Sequence, residues 1–287
     1  MKKILIPIGI PVGLAVGAAL AAPSLLKRVF AVPQRAIPET TPQDFGLDGE
    51  QVWIDGPNDK RLHAWFIPAE ATAPAVVILH GWGGTGTDML PIAPGLHDLG
   101  MHTLFLDART HGLSDDEDFM SMPRFAEDLE TALAWLSDRE DVTTIGVIGH
   151  SVGAAATILA ASRNPDIDAV VAVSSFAHPE ELLRRAIPYP APMKWTLLRV
   201  IRQMIGVSYD DIAPRNRIAD IKVPVLLIHG EDDDVIPVED AYTIHNNLPS
   251  CRLIVVPGGK HSDLEAFAPY FPDVHEFLNA NLVGVDA

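Results

Sequence analysis

The sequence predicts an α/β domain built on a mostly parallel, doubly wound sheet. A small helical insertion and an N-terminal hydrophobic helix complete the expected architecture. Three observations predict it. From residue 52 onward, short β-branched runs alternate with helical stretches. Several of these runs are continuously apolar, as strands covered on both faces are. Strand, helix and strand follow one another at the spacing of βαβ units.

The strands are expected at residues 62–66, 75–79, 103–107, 145–148, 169–173, 225–228 and 253–256. Helices are expected at 87–99, 123–137, 153–162, 239–247 and 263–279. The helix at 123–137 opens on Pro123 and carries Phe125, Leu129, Leu133 and Leu136 at helical spacing. The stretch 175–222 interrupts the alternation. It is too long for a simple connection. It reads as a lid insertion, and its apolar-basic piece 193–206 (MKWTLLRVIRQMIG) is expected to shape the substrate pocket. The domain as a whole is placed at 45–287, behind a Pro-rich linker at 31–44.

Charge and composition narrow the function. Apolar residues make up 48% and charged ones 21%, which excludes a disordered, collagen-like or multi-span membrane chain. The net charge is −17, with every one of the 38 acids beyond residue 38. Such a body repels phosphate backbones, so nucleic acid is not an expected partner. Cys251 is the only cysteine, so an intramolecular disulfide and a multi-Cys zinc site are both impossible. No HExxH helix or other metal-ligand spacing stands out, and no cofactor is expected.

Residues 1–30 are a separate segment. Nineteen uncharged residues, 4–22, follow Lys2 and Lys3. At 1.5 Å per residue this run nearly spans a bilayer core of roughly 30 Å. Its length and the basic flank at Lys27 and Arg28 favour a retained membrane anchor. The competing reading is an export signal cleaved after Ala19-Leu20-Ala21. A buried core helix is the third. The basic residues are balanced across the run, so they do not set its orientation.

The strongest chemical signal is Gly149-His150-Ser151-Val152-Gly153, placed between a strand and an Ala-rich helix. This is the G-x-S-x-G nucleophile elbow in its required context. The turn raises the serine hydroxyl above the sheet end, and the helix N-terminus favours a developing oxyanion. A serine needs a base to take its proton, and the base needs a carboxylate to orient it. Two later loops supply candidates at strand ends: Gly230-Glu-Asp232-Asp233-Asp234 and Gly258-Gly-Lys-His261. Asp233 is favoured as the acid and Asp234 is the runner-up. The oxyanion donors are expected to be the amide of Val152 and an amide from His80-Gly81-Trp82-Gly83-Gly84, nominated as that of Trp82. The Trp82 ring either lines the acyl pocket or simply packs over the sheet end.

A rival pattern overlaps this loop. Gly81-x-Gly83-x-x-Gly86, followed by Asp107, matches a dinucleotide fingerprint. It is disfavoured because it leaves the elbow, the aspartate loop and the His261 loop unexplained.

Five motifs now stand in order: HGWGG at 80–84, DARTHGLS at 107–114, GHSVG at 149–153, HGEDDDVIP at 229–237 and GGKHS at 258–262. Together they resemble the α/β-hydrolase superfamily, in the serine-hydrolase branch of serine aminopeptidase and monoacylglycerol lipase-like esterases. The resemblance covers roughly residues 45–280. It implies Ser151 as nucleophile, His261 as base and Asp233 as acid. It also implies that Asp107, Arg109 and His111 support the site, beside His80, Gly81 and His150 of the motif loops. The implied reaction is hydrolysis of a carboxylic ester through an acyl-enzyme, on a small-molecule or lipid ester. Turnover should fall as His261 is protonated, so a flat rate from about pH 5 to about pH 8 would count against it. A lysophospholipase or monoacylglycerol lipase, a serine peptidase and a non-catalytic binding protein of the same fold are the alternatives.

Overall fold

The computed structural model describes residues 35–283. The N-terminal run 4–22, with both its anchor and its signal readings, lies outside them. Among the described residues, no helix is long and apolar enough to cross a membrane.

Eight strands form one sheet. They are β1 (Glu50–Asp55), β2 (Arg61–Ile67), β3 (Ala73–Leu79), β4 (His102–Leu106), β5 (Val142–His150), β6 (Ala169–Val173), β7 (Val225–Gly230) and β8 (Arg252–Val256). Their order is β1-β2-β4-β3-β5-β6-β7-β8. Strand β2 is antiparallel to both its neighbours, and every later pairing is parallel. The chain runs from β3 outward to β4 and then returns to place β5 on the other side of β3. That reversal opens a crevice beyond the carboxyl ends of β3 and β5, where open α/β sheets collect their ligands.

Side-chain alternation fills both faces of the sheet. Ala75, Val77 and Leu79 of β3 enter one core, with Phe125, Leu129 and Leu133 of α2 (Met122–Ser137) and Ile158 of α3 (Val152–Ala161). Val76 and Ile78 enter the other, with Leu96 of α1 (Ala93–Asp98) and Leu278 and Leu282 of α10 (Phe271–Leu282).

Three elements differ from the sequence reading, each for a local reason. Strand β1 was not expected. It is an edge strand paired only to β2, and its residues EQVWID are mostly exposed. The expected helix at 87–99 is a 3-10 helix, Gly86–Ile92, followed by the short α1, because Pro91 and Pro94 withhold backbone donors. The expected helix at 263–279 breaks into α9 (Leu264–Phe267), a 3-10 turn (Ala268–Tyr270) and α10, with Pro269 and Pro272 at the joins.

The interruption at 175–222 holds four α-helices, α4 (Pro179–Ala186), α5 (Ala191–Ile205), α6 (Tyr209–Ile212) and α7 (Pro214–Arg217), and a 3-10 turn (Ile218–Asp220); the expected helix at 239–247 is α8 (Val238–Asn246). The described end of the linker is held down. The Arg35 guanidinium donates to the carbonyls of Gly112 and Ser114, both at 2.9 Å.

Candidate active site

Ser151 stands where β5 turns into α3, with φ 57° and ψ −119°. That conformation is strained for any residue bearing a Cβ. The neighbouring glycines make the turn possible. A Cβ on Gly153 would lie 2.5 Å from the carbonyl oxygens of Leu79 and His80, and one on Gly149 would lie 2.5 Å from the Gly153 carbonyl. The elbow therefore packs directly on the end of β3, which brings the serine beside the 80–84 loop.

The structure brings Ser151, His261 and Asp233 together. His261 Nε2 lies 2.9 Å from Ser151 Oγ, and His261 Nδ1 lies 2.8 Å from Asp233 Oδ2. Asp233 Oδ1 accepts from the amides of Val235 and Ile236 at 2.9 and 2.8 Å. Burial opposes charge on Asp233, but hydrogen bonds from His229, His261 and Ile236 prevail and hold its carboxyl well below the usual range. An ionised Asp233 only accepts, so His261 Nδ1 carries the proton and Nε2 offers its lone pair to Ser151. Asp233 is buried and Asp234 is exposed, which separates the two candidate acids.

The other predicted residues take distinct places. His150 Nε2 donates to the His261 carbonyl at 2.9 Å, tying the elbow to the histidine loop. Burial pushes His150 down to about 4, so it is neutral. His80 Nδ1 donates to the Gly81 carbonyl at 2.7 Å and its Nε2 accepts from the Ala108 amide at 3.1 Å. That pair of bonds requires a neutral ring, and burial lowers its pKa accordingly.

Asp107 receives the Gly86 amide at 2.7 Å, His63 Nδ1 at 2.8 Å and the Leu113 amide at 3.0 Å. It is buried and ties strand β2, the start of the 3-10 helix and the 113 loop together, so it is not placed to hold the ribose of a dinucleotide. Arg109 is buried and pairs with Asp128 and Glu127 at 2.5 and 2.8 Å. His111 donates from Nδ1 to the Arg109 carbonyl at 2.9 Å. Burial pushes it down to about 3.

Trp82 is 40% exposed, with its ring against His111 and Phe125, and it also lines the cavity at Ser151. Among the described residues, neither the Trp82 nor the Val152 amide has a hydrogen-bond acceptor. Both remain available to an oxyanion.

A cavity of about 320 Å³ opens at Ser151 and His261. Its apolar wall includes Met89, Ile92, Phe267, Tyr270, Phe271 and Val274. Among the described residues lining it, none comes from 175–222. This corrects the expected role of 193–206: the pocket is shaped by the 3-10 helix after β3 and by the segment after His261. The sequence reading also missed His63 and His229, the partners of Asp107 and Asp233. His229 Nε2 lies 3.3 Å from Asp233 Oδ2 and donates to the Ile236 carbonyl at 2.8 Å. Its place in the HGEDDD motif was the available signal. Among the described residues, no group of acids, histidines and cysteines could hold a metal ion.

Known proteins share this arrangement of elements. Residues 70–214 match the family described as "Serine aminopeptidase, S33". An uncharacterized protein of Mycobacterium tuberculosis is 31% identical over 226 residues, covering 76% of this chain and 74% of its own. The alpha/beta hydrolase domain-containing protein WAV2 of Arabidopsis thaliana is 26% identical over 240 residues, covering 78% of this chain and 75% of its own. Among solved structures, the Pyrococcus furiosus esterase Pf2001 superposes with a TM-score of 0.72 at 25% identity, over 87% of this chain and 98% of its own. Est1E of Butyrivibrio proteoclasticus, solved with ferulic acid bound, superposes at 0.69 with 22% identity, over 80% and 98% of the two chains. At that identity it speaks for the fold alone.

Proposed function

The chain belongs to the α/β-hydrolase superfamily, in the serine aminopeptidase S33 family, and from that premise we propose that it is a serine carboxylesterase acting on short to medium acyl chains. One observation carries the reading: the Ser151 hydroxyl lies 2.9 Å from an imidazole nitrogen whose other nitrogen is held 2.8 Å from a buried carboxylate.

The proposed chemistry follows from that arrangement. His261 Nε2 takes the Ser151 proton as Oγ attacks the ester carbonyl, and the imidazolium is steadied by Asp233. Charge on the carbonyl oxygen falls to the Trp82 and Val152 amides. Losing one such donor typically costs about 10²–10³ in turnover. His261 then passes its proton to the leaving alcohol. Water attacks the acyl-enzyme with the same histidine as base, restoring Ser151. The acyl group rests against Ile92, Phe267 and Phe271. A cavity of about 320 Å³ sits at the small end of ligand sites, which supports the shorter chains.

The family's description favours one second reading, a peptidase, which would use the same three residues on an amide. Hydrolysis of p-nitrophenyl esters from about C2 to C16 tests the proposal. Turnover with an optimum at short or medium chains, absent in Ser151→Ala, supports it. No ester turnover alongside Ser151-dependent peptide cleavage moves the assignment to a peptidase. An optimum at the longest chains moves it to a lipid ester.

A further inference from the structure

Residues 182–209 contain no acid in a chain whose net charge is −17, and they hold five basic residues: Arg184, Arg185, Lys194, Arg199 and Arg202. Three of these are engaged within the protein, Lys194 through the Arg184 carbonyl at 2.7 Å. Arg184 pairs with Glu180 at 2.5 Å and Arg185 with Asp240 at 2.6 Å. Arg199 and Arg202 are exposed and have no acidic partner among the described residues. Both lie on α5, on one stripe with Trp195, at the i, i+4, i+7 spacing of a single helix face. The adjoining stripe, Leu198 and Ile201, is buried against Ile187 and Tyr209. Helix α5 is therefore seated by one face and leaves a cationic-aromatic face outward.

The apolar residues on this surface are unusually open. Trp195 is 57% exposed and Val207, which also lines the cleft beside it, is 40% exposed. The Arg199 guanidinium lies 5.7 Å from the Trp195 ring centre. Beside the stripe is a cleft of about 510 Å³ that includes Trp195, Arg199, Arg202, Gln203 and Ser208 in its walls. Glu180 also reaches it, but its charge is taken up by Arg184. Two unpaired guanidiniums and a hydroxyl suit a phosphate ester, since the planar fork of arginine matches phosphate oxygens. Exposed Trp195 and Val207 beside that charge suit the boundary between headgroups and acyl chains.

We infer that α5 and its flanks form a docking surface for an anionic lipid bilayer, with a headgroup phosphate in the Arg199–Arg202 cleft. The rest of the acidic body is repelled by such a surface, so α5 faces the lipid when docked. The segment leaves the sheet beyond the end of β6, and Val173 at that end lines the Ser151 cavity.

The test is amide hydrogen exchange of the full-length chain with phosphatidylglycerol or phosphatidylcholine vesicles. The run at 4–22 and its basic flanks are the same in every variant, so protection at 191–205 that is lost in Arg199→Glu/Arg202→Glu reports the patch. Protection of 191–205 is expected with phosphatidylglycerol only, and should weaken with added salt. In Arg199→Glu/Arg202→Glu the lipid needed for half-protection should rise by about tenfold or more, at an unchanged melting temperature. Trp195→Ala should weaken protection without altering its salt dependence. Equal exchange with and without phosphatidylglycerol overturns the proposal, as does equal protection by the two lipids. Protection by free glycerol phosphate alone, with none from vesicles, would make the cleft a small-anion site and also overturn it.

Discussion

The backbone at Ser151 gives a prediction that separates stored strain from the lost hydroxyl. With φ 57° and ψ −119°, a residue bearing a Cβ sits in a region where such strain costs on the order of 1–3 kcal/mol. Glycine reaches the same angles freely, although it adds about 0.4–1 kcal/mol of unfolded-state entropy. Ser151→Ala and Ser151→Gly both delete the hydroxyl and its bond to His261. The difference between them isolates the strain. Ser151→Gly is expected to be more stable than Ser151→Ala by about 1 kcal/mol, a rise of about 2–4 °C in melting temperature for a domain of this size. Both should lack esterase turnover. Urea denaturation of the two variants under identical conditions reads the difference directly. A Ser151→Gly protein no more stable than Ser151→Ala would refute the claim that the elbow stores strain.

Three further perturbations separate roles within the site. Asp233→Asn should lower kcat by about 10⁴-fold by removing the partner that fixes the His261 tautomer, whereas the exposed Asp234→Asn should leave it within about twofold; steady-state kinetics of the pair decide which carboxylate acts. Phe271→Ala should shift the acyl-chain optimum to longer esters, because its ring lines the cavity at Ser151, and an unchanged optimum would remove that wall from the pocket. His111 is held neutral when folded, down to about 3 from an ordinary 6.5, so the unfolded chain takes up its proton first as pH falls below 6.5. At pH 5 that difference costs about 2 kcal/mol of stability, which His111→Asn should spare. Denaturation at pH 7 and pH 5 reads it, and equal losses in both proteins would contradict the assignment.

What was legible in the sequence depended on how far each feature is local. Strands β3, β5, β6 and β7 read clearly because their central residues are buried on both faces and form continuous apolar runs. Strand β1 did not, because an edge strand with one exposed face carries Glu50, Gln51 and Asp55 and resembles a loop. Ser151 and His261 were legible because each sits in a short motif at a strand end. The choice among Asp232, Asp233 and Asp234 was not settled by spacing alone. It depends on which carboxylate turns inward to the amides of Val235 and Ile236. The pocket wall was the least legible part. It joins Met89 and Ile92 to Phe267 and Phe271, segments about 180 residues apart that no periodicity connects. The apolar-basic piece at 193–206 drew attention to the wrong wall, since its composition reports an exposed surface rather than an acyl pocket.

The central claim is that Ser151 is a nucleophile activated by His261. A fluorophosphonate probe reacts with such a serine and leaves a covalent mark that peptide mass spectrometry locates. The account predicts one label per folded chain, on Ser151, with labelling slowed by orders of magnitude in His261→Ala. A folded chain that stays unlabelled at Ser151, or that reacts there equally fast without His261, would contradict it.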